Sequence, residues 1–498
     1  MVREYLPFRA LLISCAFLFV AQISVLPTAF SQSIPAPNQI PDPQAYRLMA
    51  QLVSGGETAA AAAITEIAAL GDTRFIPVLI ETIRAIQLGL LPWATYDASL
   101  ATLGALSGQA IQDDWGAWVE WYGTTDLKPP PGFTTWKGEL LARVDPRFGE
   151  FLQDKHSRTI RAEEILWGGV RVDGIPALDN PATLPASEAG YLEEKDLVFA
   201  VEINGEARAY PLRIMDWHEM ANDVVGNVPI SLAYCTLCGA AIAFRGQAND
   251  GNTYTFGSSG FLYRSNKLMY DRQTRTLWNQ FTGTPVLGRL APSGDAPPVT
   301  LDLLPVLLTT WGAWKQQNPE GRVLDIQTGF QRPYHAGAAY GPYFSSPKTM
   351  FPVWRRRGLL EPKAWIFGLR IDGVPKAYPV HKLFEDGVIN DELAGRRVVI
   401  VGTGAPLSVQ GADRRGARVN YGNGGEVRAY ERAGNTFRPS GRPGTLLDGA
   451  GQTWRITEPA LIGPDGQRAP RIPGHLAYWF GWYAFFSNTL VHGESHAQ

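Results

Sequence analysis

The sequence predicts an α+β protein: an N-terminal α-helical repeat domain followed by two tandem, duplicated β-rich mixed α/β units. Three observations carry this. Apolar residues recur at helical spacing from Tyr46 to Leu106. From about residue 195 the pattern becomes alternating strands joined by Asn-Gly and Asp-Gly turns. Finally, LVFAVEINGEARAYP (197–211) matches WIFGLRIDGVPKAYP (365–379) at an offset of 168 positions.

Taken in order, Arg3 and Arg9 precede an apolar run from Ala10 to Leu26, and Ala29-Phe30-Ser31 supplies small residues for cleavage. Residues 1–31 therefore read as a secretory signal peptide cut after Ser31, with an uncleaved anchor as the alternative. The run around Cys15 is too short on one side and too long on the other for a lipoprotein signal. Residues 32–45 are Pro-rich and polar, a tether. Residues 46–125 carry short amphipathic helices broken at Gly55-Gly56, Gly71-Asp72 and Gly89 to Pro92, and GDTRFIPVLIETIR has the look of a HEAT-type repeat. Trp115, Trp118 and Trp121 read as helix-packing core, and a face for a protein partner is the sharper alternative that solenoids allow. Residues 126–194 read as a linker and entry segment. The first repeat is expected over 195–325, an inter-repeat loop over 326–362, and the second repeat over 363–492.

The copies agree beyond their first hairpin. Asn222-Asp223 meets Asn390-Asp391, and Trp311-x-x-Trp314 meets Trp479-x-x-Trp482, at the same offset. They differ where chemistry would live. Cys235 falls opposite Thr403, Cys238 opposite Pro406, and His218-Glu219 opposite Asp386-Gly387. The first copy is read as the working half and the second as its support.

At 498 residues the chain exceeds a single core. Hydrophobic content of 45% with 18% charged residues describes a globular protein. A net charge of −2 offers no electrostatic footprint for nucleic acid or an anionic membrane. No later segment is long and apolar enough to span a bilayer once a signal is removed, so a periplasmic or secreted location follows from the leader. In that compartment Cys235 and Cys238, the two cysteines of the mature chain, pair unless metal-bound or kept reduced.

YPLRIMDWHEMANDVVGNVPISLAYCTLCGAAIAF, FGSSGFLYRSNKLMYDRQTRTLWNQFTGTPVLG (256–288) and FPVWRRRGLLEPKAWIFGLRIDGVPKAYP together resemble the bacterial domain-of-unknown-function family 3179. The resemblance covers roughly residues 160–492. It brings no established activity. It implies an exported or membrane-associated protein whose hallmarks fall here on His218-Glu219, Asn222-Asp223, Cys235 to Gly239 and Tyr270 to Thr274, with Thr236 where the family usually has proline.

Three chemistries suit the Cys-x-x-Cys-Gly turn. As a metal knuckle, Cys235 and Cys238 would be joined by His218, with Met215, Glu219, Asp271, His335, water or substrate as the fourth ligand; two thiolates and an imidazole favour Zn or Cu. As a redox pair, the turn lacks the helix N-terminus that activates thioredoxin-like thiols, yet a strained disulfide off a hairpin is still reducible. As a staple, it would only pin a turn, in a non-enzymatic protein that binds a small ligand or assembles with a partner; so small a loop gains little from cross-linking. Glu219 is the candidate general base beside a metal-bound water, and Asp271 a candidate ligand-facing acid. The bland readings are a capped helix end for Glu219 and a hairpin turn for Asp271.

Overall fold

Helices come first because the apolar spacing demands it. The computed structural model describes residues 39–294 and 297–494. The expected signal segment 1–31 lies outside them, as does the first half of the tether. Helices Asp42–Ser54, Gly56–Leu70, Ile76–Gln87, Tyr96–Ser107 and Trp115–Gly123 pack around Leu48, Ile64, Leu79, Ile83 and Trp118. Gly71, at φ 68°, ends the second helix in the left-handed conformation. Asp114 caps the fifth by accepting from the Ala117 N–H. Two more helices, Phe133–Leu141 and Arg147–Phe151, follow within the segment read as linker. Trp136 and Lys137 anchor the first of them, through Trp136 Nε1 to the Met49 carbonyl (2.6 Å) and Lys137 Nζ to Glu81 (2.7 Å). No helix among the described residues is long and apolar enough to cross a membrane.

The remainder is β-rich, and the two copies open on the same elements. Leu197–Ile203 pairs Glu206–Pro211 as a hairpin, and Trp365–Ile371 pairs Val374–Pro379 in the same register. Each hairpin gains an antiparallel neighbour on one side (Leu307–Thr310; Gly474–Tyr478) and a parallel one on the other (Arg322–Leu324; Leu490–Val491). Each copy next has a short helix, Leu212–His218 or Val380–Asp386, and then a second hairpin. Tyr210 donates to Asp223 and Tyr378 to Asp391, both at 2.8 Å. Asn222 brackets the backbone of Phe256 as Asn390 brackets that of Phe437.

The copies part company at the cysteines. In the first, strand Val228–Cys235 turns at once through Thr236–Cys238 into Ala240–Arg245, with Cys235 opposite Ala240. Gly239, at φ 62°, makes the reversal, and a Cβ there would meet Trp365 at 2.8 Å. In the second, strands Arg396–Ala412 and Arg418–Glu431 run past the corresponding pair, Thr403 opposite Glu426, into a long hairpin arm. That arm packs on the inter-repeat segment: Ala412 N–H donates to the Ala336 carbonyl at 2.8 Å, and Ser345 Oγ to that of Asn420 at 2.8 Å. The second copy thereby braces the loop that covers the first copy's turn. Its Trp482 shares a core with both sulfurs, and Gly481 lets Cys238 approach; a Cβ at Gly481 would lie 3.3 Å from the Cys238 sulfur.

Candidate functional site

Cys235 and Cys238 are buried, 2% and 0% exposed, and not bonded to each other. The Cys238 thiol lies 3.3 Å from the Ser265 carbonyl, and Asn266 Nδ2 donates to its sulfur at 3.6 Å. Asn266 is held by Gln280 (2.6 Å), whose amide donates to the Ala233 and Ala240 carbonyls and so clamps the two strands that carry the turn. Burial opposes ionisation of Cys235. Hydrogen bonds from the Cys238 thiol and from the backbone N–H groups of Lys267 and Cys238 outweigh it, and bring its pKa below the ordinary thiol value against the repulsion of Glu219. Burial, then the adjoining Cys235, push Cys238 well above that value. The two sulfurs are thus shifted in opposite directions.

Cys235 lines a cavity whose lining does not include Cys238. This space offers about 60 Å³, and Glu219, Lys267, Tyr340 and Ser258 line it among apolar walls. Glu219 follows the short helix in the left-handed conformation, φ 53°. Its Oε1 accepts from Thr236 (3.0 Å) and Tyr340 (3.1 Å), and its Oε2 lies 3.3 Å from Lys267 Nζ. Lys267 Nζ also donates to the Glu219 carbonyl at 3.0 Å. Lys267 is only 3% exposed, so this is a buried ion pair beside a thiol. Of the expected site residues, Cys235, Cys238 and Glu219 come together.

His218 does not join them as a metal ligand. Its Nδ1 donates to the Pro176 carbonyl (2.8 Å) and its Nε2 accepts from Tyr334 (2.6 Å), so both ring nitrogens are engaged. The three-ligand set of Cys235, Cys238 and His218 is therefore not assembled. Among the described residues no group of three or more His, Cys, Asp or Glu side chains is arranged to hold a metal ion. Met215 is buried in a different core from the cysteines, and His335 is exposed. Asp271 is engaged within its own turn. Its carboxylate accepts from the Thr274 hydroxyl (2.8 Å), the Thr276 N–H (3.2 Å) and Trp278 Nε1 (2.9 Å), while Asp448 holds Trp454 in like manner in the second copy (2.9 Å). Ser259, within strand Phe256–Tyr263, donates to the Leu268 carbonyl at 2.6 Å.

The residues that sequence reasoning missed are Lys267, Tyr340 and Thr236. A lone lysine in Asn266–Asp271, a strand buried along its whole length, was the available signal for the first. Nothing local announces Tyr340, which reaches the site from the inter-repeat loop.

Burial of His218 and His475 has a measurable consequence. Burial holds the pKa of each down at about 4, against 6.5 for a free imidazole. A group whose folded pKa is depressed leaves stability intact above 6.5 and removes it as pH falls toward 4. Thermal denaturation between pH 7.5 and 4 is expected to show a loss on the order of 1–3 kcal/mol per histidine. His218→Gln, which retains both hydrogen-bonding roles without titrating, should shallow that slope; an unchanged slope would show that His218 charges freely in the fold.

No curated protein matches the chain, and no solved structure does. A family model described as a protein of unknown function, DUF3179, matches residues 172–489, which takes in both copies and the cysteine turn, and the chain belongs to that family.

Proposed function

We propose that this is an exported thiol redox protein in which Cys235 and Cys238 form a dithiol–disulfide couple, Cys235 being the attacking sulfur and Cys238 the resolving one. The observation that carries the reading is the division of labour on one turn. Cys235 faces the cavity with its thiolate stabilised, whereas Cys238 lies behind it with its proton retained. The balance is simple. A Cys235 thiolate attacks an electrophilic sulfur or oxygen of an oxidant, Cys238 then attacks Cys235, and the disulfide forms as Cys238 gives up one proton and the pair two electrons. An oxidising compartment, which the leader suggests, suits such a couple. Confinement of the sulfurs, Glu219 and Lys267 to one copy supports function over packing, because the second copy builds the same scaffold without them.

Equilibration with graded mixtures of reduced and oxidised glutathione is the test. A single reversible two-electron transition is expected, abolished by Cys235→Ser. Iodoacetamide should modify Cys235 at least roughly tenfold faster than Cys238 in the native protein. Failure to form a disulfide with any oxidant, together with inertness of both thiols until denaturation, would leave the turn as packing in a non-enzymatic protein.

A further inference from the structure

The cavity in front of Cys235 limits what can reach it. Its volume of about 60 Å³ is room for about four waters. Val170, Ile175, Leu237, Phe261, Leu262 and Phe351 make its walls apolar. At 2% exposure, Cys235 is beyond reach of a disulfide carried on a folded protein, which must be attacked along its S–S axis with chain extending from both ends. A hydrated, charged tripeptide disulfide is disfavoured by the same walls.

Donors converge inside this space. Lys267 lines the cavity together with Cys235, and its backbone N–H favours the Cys235 thiolate. Its ammonium makes two contacts with Glu219, to the carbonyl and to Oε2, and has three N–H bonds to offer. A single residue thus steadies the nucleophile and offers a proton to whatever leaves it. That arrangement suits a substrate with one small electrophilic atom and a leaving group that departs as an oxyanion.

Resting on the dithiol reading above, we propose that the oxidant of this site is a small hydroperoxide, hydrogen peroxide or a short alkyl hydroperoxide. The Cys235 thiolate attacks the terminal peroxide oxygen. The O–O bond breaks, an S–O bond forms, and the departing alkoxide or hydroxide takes a proton from the Lys267 ammonium, which regains it from solvent. Cys235 is now a sulfenic acid. The Cys238 sulfur then attacks Cys235, and its proton leaves with the hydroxyl as water, giving the Cys235–Cys238 disulfide. The peroxide gains two electrons and the dithiol loses two; a low-molecular-weight dithiol closes the cycle by exchange.

Single-turnover mixing of the fully reduced, full-length protein with hydrogen peroxide, tert-butyl hydroperoxide or glutathione disulfide tests this. One equivalent of peroxide should be consumed per disulfide formed. Both peroxides should outpace glutathione disulfide at equal concentration by at least about tenfold. Cys238→Ser should halt at a sulfenic acid that dimedone traps on Cys235. The charge-free double variant Glu219→Gln/Lys267→Met should react about 10²-fold more slowly with peroxide. Faster oxidation by glutathione disulfide than by either peroxide would overturn the hydroperoxide assignment and leave the dithiol couple standing. No disulfide with any of the three would overturn both readings. An unchanged peroxide rate in the double variant would remove Lys267 from the chemistry.

Discussion

Lys267→Met is expected to destabilise the protein by about 3–5 kcal/mol, because it leaves the Glu219 carboxylate buried without its counter-charge. The two side chains are 4% and 8% exposed and 3.3 Å apart, so water cannot replace the lost ammonium. Two hydroxyl donors, Thr236 and Tyr340, would remain on Oε1, and they soften the loss without neutralising the charge. The paired change Glu219→Gln/Lys267→Met removes both charges and retains an amide oxygen for those hydroxyls. It should recover most of the stability, with a coupling energy of about 1–3 kcal/mol. Chemical denaturation of the three variants measures that cycle. Additive losses would mean that the pair is solvated in solution. The single variant also has a chemical signature. Glu219 already opposes ionisation of Cys235, and without Lys267 it would do so unscreened, so iodoacetamide labelling of Cys235 should shift to higher pH.

Why the pair escaped sequence reasoning, while the duplication did not, has a physical answer. Hairpin register, turn glycines and the paired tryptophans are local, and their spacing survives in the chain; Phe199 faces Tyr210 as Phe367 faces Tyr378 because each Asn-Gly or Asp-Gly turn sets the register. The Cys-x-x-Cys-Gly turn was legible for the same reason. The surroundings of that turn are built from distant segments. Glu219 ends a helix, Lys267 lies on a strand about fifty positions later, and Tyr340 hangs from a loop held by the second copy's hairpin arm. A helix end can turn its last side chain either way, as at His218. Tyr334 and the Pro176 carbonyl, neither marked by any motif, decide which. Only charge placed against an apolar pattern, as at Lys267, gives such a site away in advance.

Asp216→Leu is expected to stabilise the protein, by about 1–3 kcal/mol at neutral pH. Asp216 is 3% exposed, and among the described residues neither carboxyl oxygen has a hydrogen-bond partner. Leucine has the same branching and the same number of heavy atoms, so the exchange removes a desolvated acid without opening a cavity. At the offset that relates the copies, Phe384 occupies this position, so the scaffold accepts an apolar side chain here. Burial, reinforced by Glu219, raises the Asp216 pKa well above that of a free carboxyl. An acid whose folded pKa is raised costs nothing below its unfolded value, and stability is lost as pH rises toward the folded one. Denaturation from pH 5 to 8 should therefore show a falling contribution in the native sequence that Asp216→Leu abolishes. A variant less stable than the native protein at every pH would show that Asp216 has a partner in solution. An acid held so unfavourably in one copy and dispensed with in the other is the pattern left when stability yields to function. Its nearest charged neighbour, three residues along the chain, is the Glu219 that steadies the cysteine turn.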